Sequence, residues 1–156
     1  MRKTAALLIL LPAVLLGGCM RHAGRNIREI MLTKATTTPD GKGQSDTLIF
    51  YRDGRAERQT RVSEHVNSWV PIKSENGKMS TDRFEGLAKT VEENDFFTKE
   101  EHENDAEPGV TGLVVTADDG SKSILNVDEN DPQIKNIISA IKKEASQVEW
   151  TLERSN

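Results

Sequence analysis

The stretch DTLIFYRDGRAERQTRV, residues 46–62, decides the fold. Strand-forming residues flank Arg52-Asp53-Gly54, the composition of a β-hairpin and its turn. If Asp53 and Gly54 alone made a two-residue loop, Phe50 would face Glu57 and Leu48 would face Gln59, mixing core and solvent on one side. A three-residue loop with Gly54 in the left-handed position instead groups Leu48, Phe50, Ala56, Thr60 and Val62. Tyr51, Arg55, Glu57, Gln59 and Arg61 then share the opposite, wet face, and Arg58 points toward the core side.

Working outward, REIMLTKATTT (28–38) alternates loosely and is rich in β-branched residues, as a strand requires. PDGKGQS reads as a flexible connection. Pro71 and Asn76-Gly77 punctuate residues 63–79, which predicts a long loop with a short edge strand around Trp69 and Val70. Phe84, Leu87, Ala88 and Val91 then recur at helical spacing behind a Ser80, Thr81 or Asp82 cap, with Phe96 and Phe97 placed to plug the core beyond it. A second hairpin turns at Asp118, Asp119 and Gly120, pairing Val110–Thr116 with Lys122–Val127; its first strand is apolar on both sides and so is expected to be central. Asp131 and Pro132 open a last helix striped with Ile134, Ile137, Ile138, Ile141 and Ala145. Val148, Trp150 and Leu152 alternate as a closing strand. The order β-β-β-α-β-β-α-β predicts an α+β domain over residues 28–154, an antiparallel sheet of about five or six strands with two helices on one face.

Ahead of this domain, Arg2 and Lys3 precede an apolar run, Ala5 to Leu16, too short to cross a bilayer but matching a secretory signal. The run ends in LGGC, Leu16-Gly17-Gly18-Cys19, and Cys19 is the only cysteine. This resembles the lipobox of bacterial lipoprotein precursors. The resemblance implies residues 1–18 as a signal peptide cut between Gly18 and Cys19, a diacylglyceryl thioether on Cys19, and residues 19–27 as a short lipidated tether. Met20 stands where an aspartate would resemble an inner-membrane retention signal, which implies the outer membrane where two membranes exist. Arg21, Arg25 and Arg28 read either as a polar tether or as contacts to anionic head groups. A lone cysteine also excludes an intramolecular disulfide or thiolate metal site.

Removing Arg2 and Lys3 leaves 19 basic residues against 25 acidic ones, a balance of −6 that argues against nucleic acid. Only 35% of the residues are hydrophobic and 4% aromatic, so the core must be thin. The succession of Tyr51, Asp53, Gly54, Phe84, Leu87, Phe96 and Phe97 is similar to small uncharacterised domains of other bacterial lipoproteins, a resemblance of packing and turn residues that implies no activity.

The densest polar cluster, KEEHENDAEPG (99–109), offers Glu100, His102, Glu103 and Asp105 to a cation, but its spacing matches no zinc or calcium loop and suits a solvated acidic loop better. His22, His65 and His102 lie in a tether and loops, with no nucleophile elbow around any serine. Arg52, Arg55, Arg58 and Arg61 recur every third residue, as edge-strand charges do. Trp69 beside Pro71 reads either as an interface anchor or as a residue packing the sheet's open end. The expectation is a non-enzymatic, membrane-anchored protein-binding module, an inhibitor, immunity-type partner or assembly accessory, with Tyr51, Arg55, Arg61 and Trp69 as its candidate surface and no cofactor. A small-ligand or cation carrier is the alternative, and an envelope hydrolase the third.

Overall fold

A computed structural model describes residues 24–38, 40, 42–63, 68–99 and 110–153. Strands β1 (Ile27–Thr37), β2 (Gly43–Tyr51), β3 (Arg55–Ser63) and β4 (Trp69–Lys78) lead into helix α1 (Thr81–Glu93) and a 3-10 turn at Phe96–Thr98. Strands β5 (Thr111–Ala117) and β6 (Gly120–Ile124), helix α2 (Pro132–Ser146) and strand β7 (Thr151–Leu152) follow. All the strand pairs are antiparallel, in the order β6-β5-β1-β2-β3-β4-β7. The fold is α+β with both helical stripes buried in one core cluster, as the sequence predicts, and the strand count is seven.

The turn between β2 and β3 is the three-residue one. Phe50 pairs with Ala56 and Leu48 with Arg58, so the register places Arg58 on the core side. Gly54 has φ +88°, and a Cβ there would come within 2.8 Å of the Met79 carbonyl oxygen. Two separate constraints therefore require glycine at that position.

Phe50, Phe84, Phe96, Ile30, Leu113, Ile137 and Ile141 are the large side chains at the centre of the core. Phe84, Leu87 and Val91 from α1 and Ile134, Ile137, Ile138 and Ile141 from α2 face the same side of the sheet. Ser80 caps α1 by accepting from the Arg83 N–H, and Asp131 caps α2 by accepting from Gln133 and Ile134. Phe96 is fully buried beyond the end of α1 and meets Phe97 edge to face.

Several details differ from the sequence reading. Residues 69–78 form a full strand rather than a loop with a short edge, and β3 is therefore interior, so its arginines are not edge charges. Pro71 is tolerated because the strand bulges there: Thr60 pairs with Lys73 and Arg61 with Pro71, and Ile72 is skipped. Gly77 is not a turn residue but a close-approach site, since a Cβ would collide with Val148 and crowd Trp150. The second hairpin turns through Asp118 and Asp119 alone, with Ala117 paired to Gly120, and its return strand stops at Ile124. Of the closing alternation only Thr151 and Leu152 pair, with Asn76 and Glu75; Val148 and Trp150 pack instead against the core. The strand β5 is interior, flanked by β6 and β1.

The Asp131 cap also makes a pH prediction. Its carboxylate accepts from Lys99 Nζ at 2.6 Å and from the α2 backbone, and these bonds, the Lys99 one foremost, lower its pKa from 3.8. A lowered folded-state value means the stabilisation is present above the unfolded value of 3.8 and is lost as pH falls through the folded one. Asp131→Ala should lower the melting temperature at pH 7, and its deficit relative to the native chain should shrink as pH falls below 3.8 through the lowered folded-state value. A thermal melt series against pH checks this; a deficit independent of pH would contradict it.

Candidate functional site

Neither helix covers the second face of the sheet. Alternation along each strand sends Glu29, Met31, Thr33, Ala35 and Thr37 of β1 to that face, opposite Ile30 and Leu32 in the core. The register then assembles rows across neighbouring strands. Met31 lies between Ile49 of β2 and Val114 of β5, an apolar row in which all three are half-buried. In the next row Thr33 stands between Thr47 and Gly112, and the two threonine hydroxyls bond at 3.1 Å. Ala35, Ser45, Arg61 and Pro71 follow, then Thr37, Gly43, Ser63 and Trp69.

The four residues singled out in the sequence all lie on this face, but at opposite ends of it. Tyr51 and Arg55 flank the β2–β3 turn, with the Arg55 guanidinium 4.3 Å above the tyrosine ring. Arg55 is also committed to Asp53, donating from Nε at 2.8 Å, and this bond holds the Asp53 carboxyl below its usual range. Burial, then the charges of Glu57 and Glu29, raises the Tyr51 pKa. At the other end Arg61 donates to Gln59 at 3.0 Å, and Trp69 remains 37% exposed. The tryptophan is partly a packing residue, because its ring lies over Gly43, where a Cβ would come within 2.8 Å of Cη2.

Sequence reasoning missed the middle of the face. Met31, Ile49 and Val114 were legible only as the second apolar side of IML, LIF and LVV, a pattern that sandwiched central strands share. Consequently the face is not uniformly polar: an apolar row and a hydroxyl belt lie between charged ends.

The chain enters at the end of the sheet that carries the β2–β3 and β5–β6 turns. Arg25 pairs with Asp119 at 3.3 Å and stacks 4.3 Å over Phe97, and Arg28 pairs with Asp118 at 3.1 Å. Asn26 donates to Asp118 and accepts from Arg52, joining both turns. Arg25 and Arg28 thus engage the domain's own carboxylates, which does not favour the head-group reading of these two residues.

Cys19, Gly18, Arg21, His22 and the loop residues Glu100, His102, Glu103 and Asp105 lie outside the described residues. Among the described residues no group of three or more His, Cys, Asp or Glu side chains is placed to hold a metal ion. Every described carboxylate with a displaced pKa is displaced downward: Asp40, Asp53, Glu129 and Asp131, each first by a side-chain hydrogen bond. A general acid at neutral pH needs the opposite shift. No protein-family model matches the chain, and no curated protein matches it in sequence.

Proposed function

We propose that this chain is a lipid-anchored binding protein of a bacterial envelope, held by an acylated Cys19, whose protein partner lies on the helix-free sheet face. The observation that supports this reading most is the apolar row Val114, Met31 and Ile49, bordered by Thr33, Thr47 and Gly112, on a face that no described helix covers. From β5 to β4 the face spans five strands, about 20 Å across and about 30 Å long, or roughly 600 Å². A standard protein interface takes about 800 Å² per partner, so this face with its rims is of a suitable size. The charged ends, Arg55 with Asp53 and Glu57 and then Arg61, would form a polar rim, and Trp69 a partly exposed aromatic at one margin.

The tether supports an orientation. The five residue steps from Cys19 to Gly24 reach at most about 18 Å, so the end with the β2–β3 and β5–β6 turns would face the lipid. Trp69 would then stand away from it by the length of β1, about 33 Å for ten residue steps. No helix among the described residues is long and apolar enough to cross a membrane.

Site-specific photo-crosslinking in intact cells tests the partner. A crosslinker at position 49 should give a discrete adduct, whereas one at Lys135, on the exposed side of α2, should not. Ile49→Arg should reduce recovery of the same partner at least about tenfold, the loss of one buried interfacial side chain. Equal adducts from both positions, or none at 49, would count against this face.

A further inference from the structure

The core side of the sheet is longer than the helices that cover it, and beyond the last turn of α2 a groove remains. Its volume is about 400 Å³, and Leu32, Leu48, Ala145 and Trp150 supply its apolar lining. Trp150 is held in place there, its indole N–H donating to the Ala145 carbonyl at 3.0 Å. Around the opening stand Lys34, Arg58 and Lys142, with Asp46 as the one carboxylate of the lining among the described residues.

The cations have capacity to spare. Lys34 and Lys142 lie close enough to Glu129 to help hold its carboxyl low, yet neither is in an ion pair among the described residues. Arg58 approaches Glu75 at only 3.8 Å without a hydrogen bond, and Glu75 is already paired with Lys73 at 2.9 Å. Asp46, by contrast, is occupied: it accepts from Thr60 at 2.7 Å and from Gln44 at 3.0 Å. The carbonyl end of α2 opposes an anion by about half a charge. The Trp150 bond and the Gln147 N–H satisfy part of that end. With the neighbours included, Lys34, Arg58, Lys142 and Lys73 face Asp46, Glu129 and Glu75 together with this half charge, which leaves a small positive excess at the groove on a chain whose overall balance is negative.

We infer that this groove binds a small, free amphiphilic anion, a carboxylate or phosphate on a short acyl or aryl body. The head would sit among Lys34, Arg58 and Lys142, and the body on Leu32, Leu48 and Trp150. The groove lies within the size range of small-ligand sites and pairs an apolar lining with a few convergent polar groups. This inference does not depend on the sheet-face reading, because the groove's apolar and cationic side chains lie on the core side of the sheet and Thr47 alone borders both surfaces.

The test uses the full-length purified protein in nanodiscs of zwitterionic lipid, read by the indole N–H signals in a ¹H–¹⁵N spectrum. The chain has two tryptophans, so Trp69→Phe assigns the Trp150 peak. Octanoate and octyl phosphate should shift that peak saturably, with octanamide and inorganic phosphate at least about tenfold weaker. Replacing both Lys34 and Lys142 by Gln should weaken octyl phosphate at least about tenfold without changing the melting temperature, since both side chains are exposed. The inference is overturned by no saturable shift, by equal affinity for octanamide, by unchanged affinity in the double variant, or by a response only to vesicles containing phosphatidylglycerol.

Discussion

Phe50→Ala should destabilise the domain by about 3–5 kcal/mol, the usual range for truncating a fully buried aromatic. Phe50 is 0% exposed on β2, the middle strand of the sheet, and belongs to the cluster that includes buried residues of both helices. The loss has two parts: transfer of the ring's apolar area, and a cavity that a sheet pinned on both sides cannot close. The second part is large here because β1 and β3 pair with β2 along nearly its whole length, so the backbone cannot move inward alone. A single domain has about 5–15 kcal/mol in total, so the variant would keep a modest margin or none. The midpoint of urea unfolding should fall while its slope stays constant. Phe50→Leu, which retains most of the volume, should lose clearly less. Equal losses for the two variants would mean that the cavity is not the cause.

The same residue explains why much of the fold could be read from the sequence. Placing Phe50 opposite Ala56 rather than Glu57 fixed the hairpin register, and the register fixed which residues share each face. The helices were similarly legible, because Phe84, Leu87 and Val91, and Ile134, Ile137, Ile138 and Ile141, repeat at a period only a helix aligns. Strand β4 was not. Its exposed Val70 and Ile72, its bulge at Pro71 and its Gly77 under Val148 remove alternation, N–H donors and turn logic together. Those features depend on what packs against β4, which no local pattern encodes.

The candidate face was half legible for a related reason. Tyr51, Arg55 and Arg61 follow from the hairpin register alone. Val114 and Ile49 do not, because an apolar residue on the second side of a strand looks the same whether a helix or a partner covers it. The groove was less legible still, since Lys34, Arg58 and Lys142 come from three elements that meet only once the sheet and α2 have formed.

Cys19→Ser should change the protein most completely, and in chemistry rather than stability. On the proposed reading the sulfur is alkylated first and the peptide bond after Gly18 is cut only afterwards, so a serine hydroxyl, far less nucleophilic than a thiolate, blocks both steps. The variant should accumulate with residues 1–18 attached and take no label from an alkyne fatty acid, whereas the native chain should lose that segment and gain two or three acyl groups. Membrane fractionation is the wrong readout, because the retained apolar run from Ala5 to Leu16 can itself associate with lipid. Intact-mass spectrometry separates the states, since cleavage and acylation change the mass in opposite directions by different amounts. On this reading the acyl chains would also set how firmly the domain is held: each buried methylene contributes about 0.8 kcal/mol, and a single fourteen-carbon chain gives only marginal, reversible binding. Two or more chains give stable anchoring, which a tether as short as Met20 to Ala23 would convert into a fixed working distance from the surface. A native protein found with a bare thiol and an intact amino terminus would remove the anchor, and with it the orientation argued for Trp69, while leaving the sheet face and the groove to be judged by their own tests.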